Sequence, residues 1–585
     1  MYCKETLGTT EMTNSKGLIR TIILLTVTCA SAVLSGPPKI LSVTPEARSV
    51  GLYEKFELRI NLNAEFTNPY DPEQIDLRAE FTAPSGTVWT IWGFYNPTSI
   101  DTHWMVRFSP KEQGTWRCVV TVKDSGGIAQ SPAGSFTATE SPHHGFITIA
   151  DNTRYLRHSD GTSFYGVGLW YNDSPWTVTR GNINEADLDN LKRRGANFIC
   201  TRLEMLETLG TGLGRYDPAV CERLDQVFSW CEQRDIYISL NLWFHNYISE
   251  TVWGSWLKGN PYENVTTMAD FFSNEQAWEY QNKMHRYVIA RWGYSRALFL
   301  WFTIDEINGT DGWVHDRQGA ETWSRKMHDY FKKHDPYGRP TTGTQSGGIG
   351  QWWPTGYEIF DIAAREIYEA QGHPIPKSGK LGPDDPNPLQ LSYRNYATQA
   401  QKLWNGFTKP TINGECGWDH TYYEPGMPGY LAMYHNAIWV SLSTGLCATP
   451  FWWSHSEWIN DSVVTNQMLH FSKFVSDIDF ANLNLEPAKI SAGPCDAWAM
   501  KSDKLIFGWV VHPQTSVARE SFTISNLPNG QYDVHLYRTW RGRYMDTRTV
   551  ECKAGNLTVK IPELKTTRGH AAHIGNDIAF KIKPK

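Results

Sequence analysis

The chain has 585 residues, of which 41% are hydrophobic and 20% charged, so it is long enough for about three domains and too apolar for a disordered protein. Its formal net charge of −6 offers no electrostatic attraction for nucleic acid or an anionic membrane. The 26 tryptophans are the unusual feature of the composition, and each combines a flat apolar face with one N–H donor.

Residues 1–34 are predicted to be an export signal. Lys16 and Arg20 precede the apolar run TIILLTVTCASA, which ends in small residues and is too short to cross a bilayer. No later run is long enough for a membrane span, so we expect a periplasmic or extracellular protein. A glycan on the sequon at Asn308 would block the candidate cleft described below, which favours a bacterial source. The cysteines beyond this segment are scattered, and we expect most of them to be buried, with any disulfide pairing left open.

Residues 39–139 are predicted to form a β-sandwich. Short alternating runs such as YEKFELRINLNA, VWTIWGFYN and GTWRCVVTVKD are separated by Pro, Gly, Asn and Asp turn residues. Short strands return from about residue 484, for example in ESFTISNL and DIAFKIK. Residues 484–585 are therefore predicted to form a second small β-sandwich.

Residues 145–482 alternate between strand and helix patterns. Strands are predicted in FYGVGLWYN, FICTRLE, YISLNLWF, ALFLWFTIDE, PTTGTQS, FDIAAREIY, KPTINGECGW and LCATPFWW. The stretches between them carry apolar residues at helical spacing, and several open with Asn, Asp or Ser in a capping position. The count predicts a (β/α)8 TIM barrel, and hence an α/β protein whose barrel is flanked by two all-β sandwiches.

The polar residues that follow these strands form the candidate site, because the carboxyl ends of barrel strands gather at one mouth. In chain order they are Trp170 and Asn172, Arg202 and Glu204, Asn241 and His245, Asp305 and Glu306, Gln345, Glu366 and Tyr368, Glu415, and Trp452 with Trp453. Side chains alternate along a strand, so one of Trp452 and Trp453 is expected to face the cavity as a platform that stacks on a sugar, with Trp170 on the adjacent wall.

Two carboxylates across one cavity are the groups that glycoside hydrolysis requires. One must be protonated near neutral pH to assist the leaving oxygen, and the other must be ionised to attack carbon or activate water. A separation of about 5–5.5 Å gives retention of configuration, and a wider one gives inversion. Glu306 and Glu415 are the candidate pair.

Glu306 after the fourth strand and Glu415 after the seventh, within GECGW, resemble clan A of the glycoside hydrolases and its cellulase-like family five. The resemblance implies that Glu306 is the acid/base and Glu415 the nucleophile of a retaining hydrolase of β-glycosidic bonds in a polysaccharide or oligosaccharide. It implies no metal or organic cofactor, and it leaves the oligomeric state open. The implied substrate contacts are Arg202, His245, Tyr368 and Trp452 or Trp453. Trp170 and Asp305 are expected to contact the substrate because of their positions at the strand ends.

The flanking segments carry resemblances of their own. The N-terminal one, with PSGTVWTIWGFYN and WMVRFSPKEQGTW, resembles the β-sandwich domain of unknown function that precedes such barrels. The C-terminal one is similar to a small β-domain named for collagen binding. Within the barrel, Asp305 stands where the clan has Asn, and Glu366 takes the His position of its His-x-Tyr pattern while Tyr368 is kept. These departures leave the sugar and linkage open.

Four alternatives remain at this point. The chain could be a non-catalytic carbohydrate-binding or adhesion protein on the same fold, or an inverting hydrolase. Glu306 and Glu415 could instead be structural carboxylates paired with Arg202 and Arg365, and His245 could be a core histidine. The GHAAH sequence at 569–573 has no carboxylate companion, so a loop is expected there rather than a metal site.

Overall fold

The computed structural model describes residues 36–100, 102–171, 183–203, 206–253, 259–347, 351–368, 389–417, 428–454, 462–513, 516–564 and 576–585. The predicted export signal, Asn172, Glu204 and the GHAAH sequence lie outside these residues. Within them, no helix has the length and apolar character that crossing a membrane would need.

The N-terminal part consists of two β-sheets. Its strands are β1 (Lys39–Pro45), β2 (Ser49–Gly51), β3 (Phe56–Asn63), β4 (Asp76–Thr82), β5 (Val88–Trp92), β6 (Phe94–Tyr95), β7 (Trp104–Phe108), β8 (Gly114–Asp124), β9 (Gly127–Gln130) and β10 (Gly134–Thr139). One sheet has the order β1-β3-β7-β6 and the other β2-β10-β8-β4-β5, with β9 paired to β8. Both sheets contribute to one apolar cluster, for example Leu58 from β3, Phe81 from β4 and Val120 from β8. The alternation that predicted these strands separates core-facing from solvent-facing residues.

A small antiparallel sheet of β11 (Ile147–Ile149), β12 (Leu156–His158) and β13 (Ser163–Phe164) leads into the α/β part. The strands that follow are β14 (Gly168–Tyr171), β15 (Phe198–Arg202), β16 (Tyr237–Asn241), β17 (Leu298–Phe302), β18 (Thr341–Thr342), β19 (Ala363–Arg365), β20 (Thr411–Asn413), β21 (Cys416–Gly417) and β22 (Trp452–Ser454). A seven-stranded parallel sheet has the order β18-β17-β16-β15-β14-β22-β21, and β19 pairs with β20 in a second parallel sheet. Strands β15 to β17 are buried along their whole length, which is why they read as continuous apolar runs.

Backbone hydrogen bonds join the two parallel sheets at both ends of the larger one. The N–H of Ile362, just before β19, donates to the carbonyl of Thr341 in β18 at 3.1 Å. On the other side, the N–H of Cys447 donates to the carbonyl of Thr411 in β20 at 3.0 Å. The predicted strand–helix alternation is therefore observed as a mixed α/β fold with parallel strands.

Helices lie between the parallel strands. They are α1 (Glu185–Arg193), α2 (Pro218–Glu232), α3 (Glu275–Trp292), α4 (Asp311–His315), α5 (Arg317–His334), α6 (Pro354–Ile359), α7 (Leu389–Gly406), α8 (Pro428–Ser443) and α9 (Ser462–Val475), with short 3-10 helices at His245–Tyr247, Pro261–Asn264, Ile307–Gly309 and Thr539–Arg541. The predicted caps are present: Asn184 accepts from the third residue of α1, and Asn274 accepts from the third residue of α3.

The C-terminal part again consists of β-sheets. Its strands are β23 (Glu486–Pro487), β24 (Lys489–Ser491), β25 (Asp496–Lys501), β26 (Ile506–Val511), β27 (Ser521–Ser525), β28 (Gly530–Arg538), β29 (Arg543–Tyr544), β30 (Arg548–Cys552), β31 (Asn556–Lys560) and β32 (Asp577–Pro584). One sheet has the order β23-β25-β26-β32-β28-β29 with β30 on β28, and the other has the order β24-β27-β31. They share an apolar cluster that includes Val510, Ile524 and Phe580. All eight cysteines of the described residues are free and buried, as predicted for most of them.

A buried ionic network fixes the N-terminal sheets to the α/β part. Asp225 of α2 accepts two hydrogen bonds from Arg107 of β7, at 2.9 and 3.0 Å, and two from Arg291 of α3, at 3.1 and 2.8 Å. The indole N–H of Trp292 adds a fifth at 2.7 Å. Because charge-assisted bidentate pairs are geometrically specific, this network determines how β7 lies against α2 and α3.

Candidate active site

Glu306 lies just beyond β17, in a backbone conformation that non-glycine residues rarely adopt. Its φ is 51° and its ψ 53°, in the left-handed region. The ends of neighbouring strands hold it there: the N–H of Asp305 donates to the Trp243 carbonyl at 2.9 Å, and the N–H of Glu306 donates to the Thr344 hydroxyl at 3.1 Å. Strain of this kind costs about 1–3 kcal/mol and concentrates at functional sites. It directs Glu306 away from the course of its strand.

Glu415 follows β20 after a glycine that the packing requires. A Cβ at Gly414 would lie 2.5 Å from a methyl group of Thr344 and 3.2 Å from the Cβ of Ala364. The Gly414 carbonyl also accepts the indole N–H of Trp170 at 3.1 Å. The glycine in GECGW therefore lets β20 approach its neighbours closely enough to bring Glu415 into the site.

Four carboxyl groups meet at these strand ends. Oxygen atoms of Asp305, Glu366 and Glu415 all lie within 4.8 Å of one another. The carboxyl of Glu306 lies close enough to that of Glu366 for the two to interact, and it acts electrostatically on Glu415. The strand ends that the sequence placed at one mouth are thus brought together. We call these four residues the carboxyl cluster.

The acids of the cluster hold their protons more strongly than free carboxyl groups do. Burial, and next the charge of Asp305, raise the pKa of Glu306 to about 8. Burial also raises the pKa of Glu415, as do the charges of Asp305 and Glu306, while Arg202 and a hydrogen bond from Tyr368 oppose the shift. Burial raises the pKa of Glu366 well above its ordinary value, and the charges of Glu306, Glu415 and Asp305 add to this effect. Glu306 is therefore protonated at neutral pH.

Arg202 supplies the positive charge beside the cluster. One of its terminal nitrogens donates to Asp305 at 3.3 Å, and its guanidinium lies 3.3 Å from the ring centroid of Phe244 and 5.2 Å from that of Trp170. Arg365, the other arginine considered as a partner, lies over the ring of Trp352. Among the described residues, neither arginine forms an ion pair with Glu306 or Glu415, which argues against a purely structural role for the two glutamates.

His245 lies against the candidate acid. Its Nδ1 is 3.2 Å from a carboxyl oxygen of Glu306, and its ring packs edge-on against Trp253 at 4.9 Å. Burial, and next the charge of Arg202, lower the pKa of His245 well below its ordinary value. It is therefore a neutral imidazole in the site and cannot neutralise Glu306 by charge.

Tyr368 joins the cluster through its hydroxyl, which donates a hydrogen bond to Glu415 Oε1. The side chain is partly exposed, so it lies where the cluster opens toward solvent. The amide of Asn413 clamps the two strand ends beneath it, accepting from the N–H of Ile367 at 3.0 Å and donating to the Ile367 carbonyl at 3.1 Å. Tyr368 and Glu415 are thus positioned relative to each other by the backbone.

The consecutive tryptophans of β22 face opposite ways, as expected. Trp452 is 1% exposed and packs edge-on against Tyr434 of α8. Trp453 is partly exposed and lies 6.0 Å from Trp170 and 4.8 Å from the Arg202 guanidinium. The burial of Trp452 argues against the substrate contact expected of it, and Trp453 is the member of the pair at the site. Trp170 is fully buried beneath Arg202, so it supports the wall rather than forming its surface.

Asp305, Glu366 and Glu415 are the one set of metal-ligand type that the described residues bring together. Asp305, however, is already paired with the guanidinium of Arg202 and accepts from the Thr344 hydroxyl at 3.3 Å. Glu415 is engaged by Tyr368. The guanidinium of Arg202 beside Asp305 would repel a metal cation bound to the same carboxyl groups, so the three residues form a carboxyl cluster rather than a metal site.

Two residues that position the site, Thr344 and Asn413, are not among those predicted from the sequence. The Thr344 hydroxyl contacts both Asp305 and the backbone of Glu306, and Asn413 holds the loop that carries Glu366. Each sits at the end of a short predicted strand, where a hydroxyl or amide has no apolar role. That placement at a strand end is the sequence feature that could have predicted their role.

Comparison with known proteins adds to this geometry. Residues 154–290 match the model of Cellulase (glycosyl hydrolase family 5), and residues 49–123 match that of a domain of unknown function, DUF5060. The protein is a glycoside hydrolase. The family match ends before Glu306 and Glu415, so the roles of these two residues in the hydrolase rest on the strand ends and the geometry.

One solved structure shows the same fold. A candidate glycoside hydrolase from Bacteroides vulgatus ATCC 8482 aligns with 92% of the hydrolase and 100% of its own chain, at 16% identity and a TM-score of 0.65. The exo-beta-1,4-mannosidase Op5Man5 from Opitutaceae bacterium strain TAV5 aligns over 56% of the hydrolase and 62% of its own chain, at 16% identity and a TM-score of 0.43. A search of curated proteins finds no significant match.

Proposed function

We propose that the hydrolase cleaves a β-glycosidic bond in a polysaccharide or oligosaccharide by a retaining double displacement. Glu306 protonates the leaving oxygen while Glu415 attacks the anomeric carbon; water then releases the sugar as Glu306 takes back a proton. The observation that carries this proposal is the meeting of Glu306, with its pKa of about 8, and the Tyr368-bound Glu415 in one cluster.

The environments of the two glutamates support different roles. Glu306 is the more exposed, at 16% of its side chain, and its raised pKa keeps the proton that a general acid must deliver. Glu415 is buried, accepts a hydrogen bond from Tyr368 and feels the charge of Arg202, both of which favour its ionised form. When Glu306 is neutral, its charge no longer opposes ionisation of Glu415.

The scaffold of this proposal is a closed (β/α)8 barrel between two β-sandwiches, with domain limits near 39–139, 145–482 and 484–585. The backbone bonds that join both ends of the seven-stranded sheet to β19 and β20 support closure. The separate apolar clusters of the N-terminal and C-terminal sheets support the sandwiches. Export to the periplasm or outside the cell is proposed from the N-terminal sequence alone.

The test is a screen of the purified protein against a panel of plant, algal and host-type polysaccharides, with product analysis. Nuclear magnetic resonance of the first-formed anomer reports the stereochemistry, and retention of configuration is expected. Inversion would instead indicate that the same two carboxyl groups act in a single-displacement mechanism. The matched pair Glu415→Gln and Glu279→Gln separates enzyme from binder, since Glu279 is exposed on α3. Binding without turnover in the wild type would favour the non-catalytic alternative.

A further inference from the structure

Glu366 has no role in the mechanism above, although it belongs to the carboxyl cluster. It follows β19 directly and is 0% exposed, so it cannot be the group that touches the substrate first. The titratable groups that act on or are influenced by it are Asp305, Glu306, Glu415, Tyr357 and Tyr368. Among these neighbours it interacts with both the candidate acid and the candidate nucleophile.

Neither oxygen of Glu366 receives a hydrogen bond of regular geometry from the described residues. The Thr344 hydroxyl lies beside it but donates to Asp305 at 3.3 Å. A buried carboxylate with no donor would be costly, because its charge would be neither solvated nor paired. The contact with the carboxyl of Glu306 becomes a hydrogen bond only if a proton lies between the two acids.

We propose that Glu366 is a positioning residue that keeps its carboxyl proton and donates it in a hydrogen bond to Glu306. This inference rests on the proposed function of Glu306 as the acid/base. In the first step the Glu306 proton goes to the leaving oxygen, and the carboxylate left on Glu306 accepts the hydrogen bond from Glu366. In the second step Glu306 takes a proton from water, and the proton of Glu366 never leaves.

The first test compares two substitutions of similar volume. Glu366→Leu removes the donor, whereas Glu366→Gln keeps a neutral donor in its amide. For Glu366→Leu we expect kcat to fall by up to about 100-fold, the typical loss when a reacting group is misplaced by about 1 Å, with KM nearly unchanged. We also expect the alkaline limb of the kcat profile to move to higher pH, because Glu306 then ionises less readily.

Glu366→Gln is expected to recover most of the kcat and the wild-type alkaline limb. Equal impairment of both variants would overturn the hydrogen-bond role, and so would a Glu366→Leu enzyme with wild-type kcat and pH profile. A purely structural role predicts a lower Tm for both variants and no change in the pH at which the alkaline limb falls.

A second measurement needs no substrate, so it separates failure of this inference from failure of the proposed function. Unfolded Glu366 ionises above its ordinary pKa while the folded protein keeps the proton, so wild-type stability falls as pH rises. The Tm of Glu366→Gln minus that of the wild type is therefore expected to increase between pH 5 and pH 8. The difference for Glu279→Gln, on the exposed face of α3, is expected to stay flat. A flat difference for Glu366→Gln as well would overturn the retained proton, whatever the activity screen shows.

Discussion

The hydroxyl of Tyr368 donates a hydrogen bond to Glu415 Oε1 across the ends of β19 and β20. This bond lowers the pKa of a carboxyl that burial and neighbouring charges otherwise raise. It is the direct link between a residue of the mouth and the candidate nucleophile. Its energetic effect can be measured separately from the rest of the site.

Tyr368→Phe removes this donor and leaves the ring. The pKa of Glu415 should rise, so the acidic limb of the kcat/KM profile is expected to move to higher pH. Hydrogen bonds to charged groups contribute about 1.5–3 kcal/mol, so kcat/KM should fall by about 10- to 100-fold. A pH–rate profile beside the wild type checks both, and an unmoved acidic limb would contradict the assignment of Glu415.

Glu415→Gln replaces a buried carboxyl by a neutral group of the same shape. Turnover is expected to disappear, because an amide cannot form the glycosyl-enzyme ester. The Tm should not fall, because the cluster loses one of its mutually repelling acids. Glu279→Gln is the control and should retain full activity; turnover by Glu415→Gln at the wild-type rate would rule out its role as nucleophile.

The pH dependence of the wild type follows from Glu306. A general acid must be protonated in the free enzyme, and the pKa of Glu306 is raised to about 8, so kcat/KM is expected to fall as pH rises through about 8. Glu306→Gln should lower kcat strongly and remove this alkaline limb. An alkaline limb that persists in Glu306→Gln would assign it to another group.

The two tryptophans of β22 give opposite predictions. Trp452→Ala should lower the free energy of unfolding by about 3–5 kcal/mol, because it empties a packed position against Tyr434. Trp453→Ala should mainly raise KM, because the partly exposed ring is the one beside Arg202. Thermal unfolding together with kinetics on both variants tests the pair. Equal losses of stability in the two variants, with a wild-type KM for Trp453→Ala, would show that Trp453 does not contact the substrate.

Asp225→Asn tests the junction between the N-terminal sheets and the α/β part. Burial raises the pKa of Asp225, but the charges of Arg107 and Arg291 outweigh it and hold the pKa well below its ordinary value. Its stabilisation is therefore present above that ordinary pKa and is lost as pH falls. Leaving two buried guanidinium groups without their anion should cost about 3–5 kcal/mol at neutral pH.

Chemical denaturation of Asp225→Asn beside Asp329→Asn, an exposed aspartate of α5, measures this cost. The difference between the two variants should shrink only as the pH is lowered below the ordinary pKa of aspartate. A loss for Asp225→Asn no larger than for Asp329→Asn would mean that the network contributes orientation without net stability.

The sequence by itself determined the alternation of strands and helices and the residues at the strand ends. Buried parallel strands must be apolar throughout, so the change to a polar residue marks where each strand ends and where its side chain becomes available. That is why Glu306, Glu366, Tyr368 and Glu415 could be placed at one mouth from their positions alone.

Only the tertiary structure decided which of these groups touch. The left-handed backbone of Glu306, the orientation of Trp453 rather than Trp452, and the lack of a hydrogen bond of regular geometry to Glu366 from the described residues depend on neighbours far apart in sequence. A pKa near 8 for Glu306 likewise arises from burial and from the charge of Asp305. Burial and electrostatic coupling are properties of the packed strand ends, and strand periodicity carries no information about them.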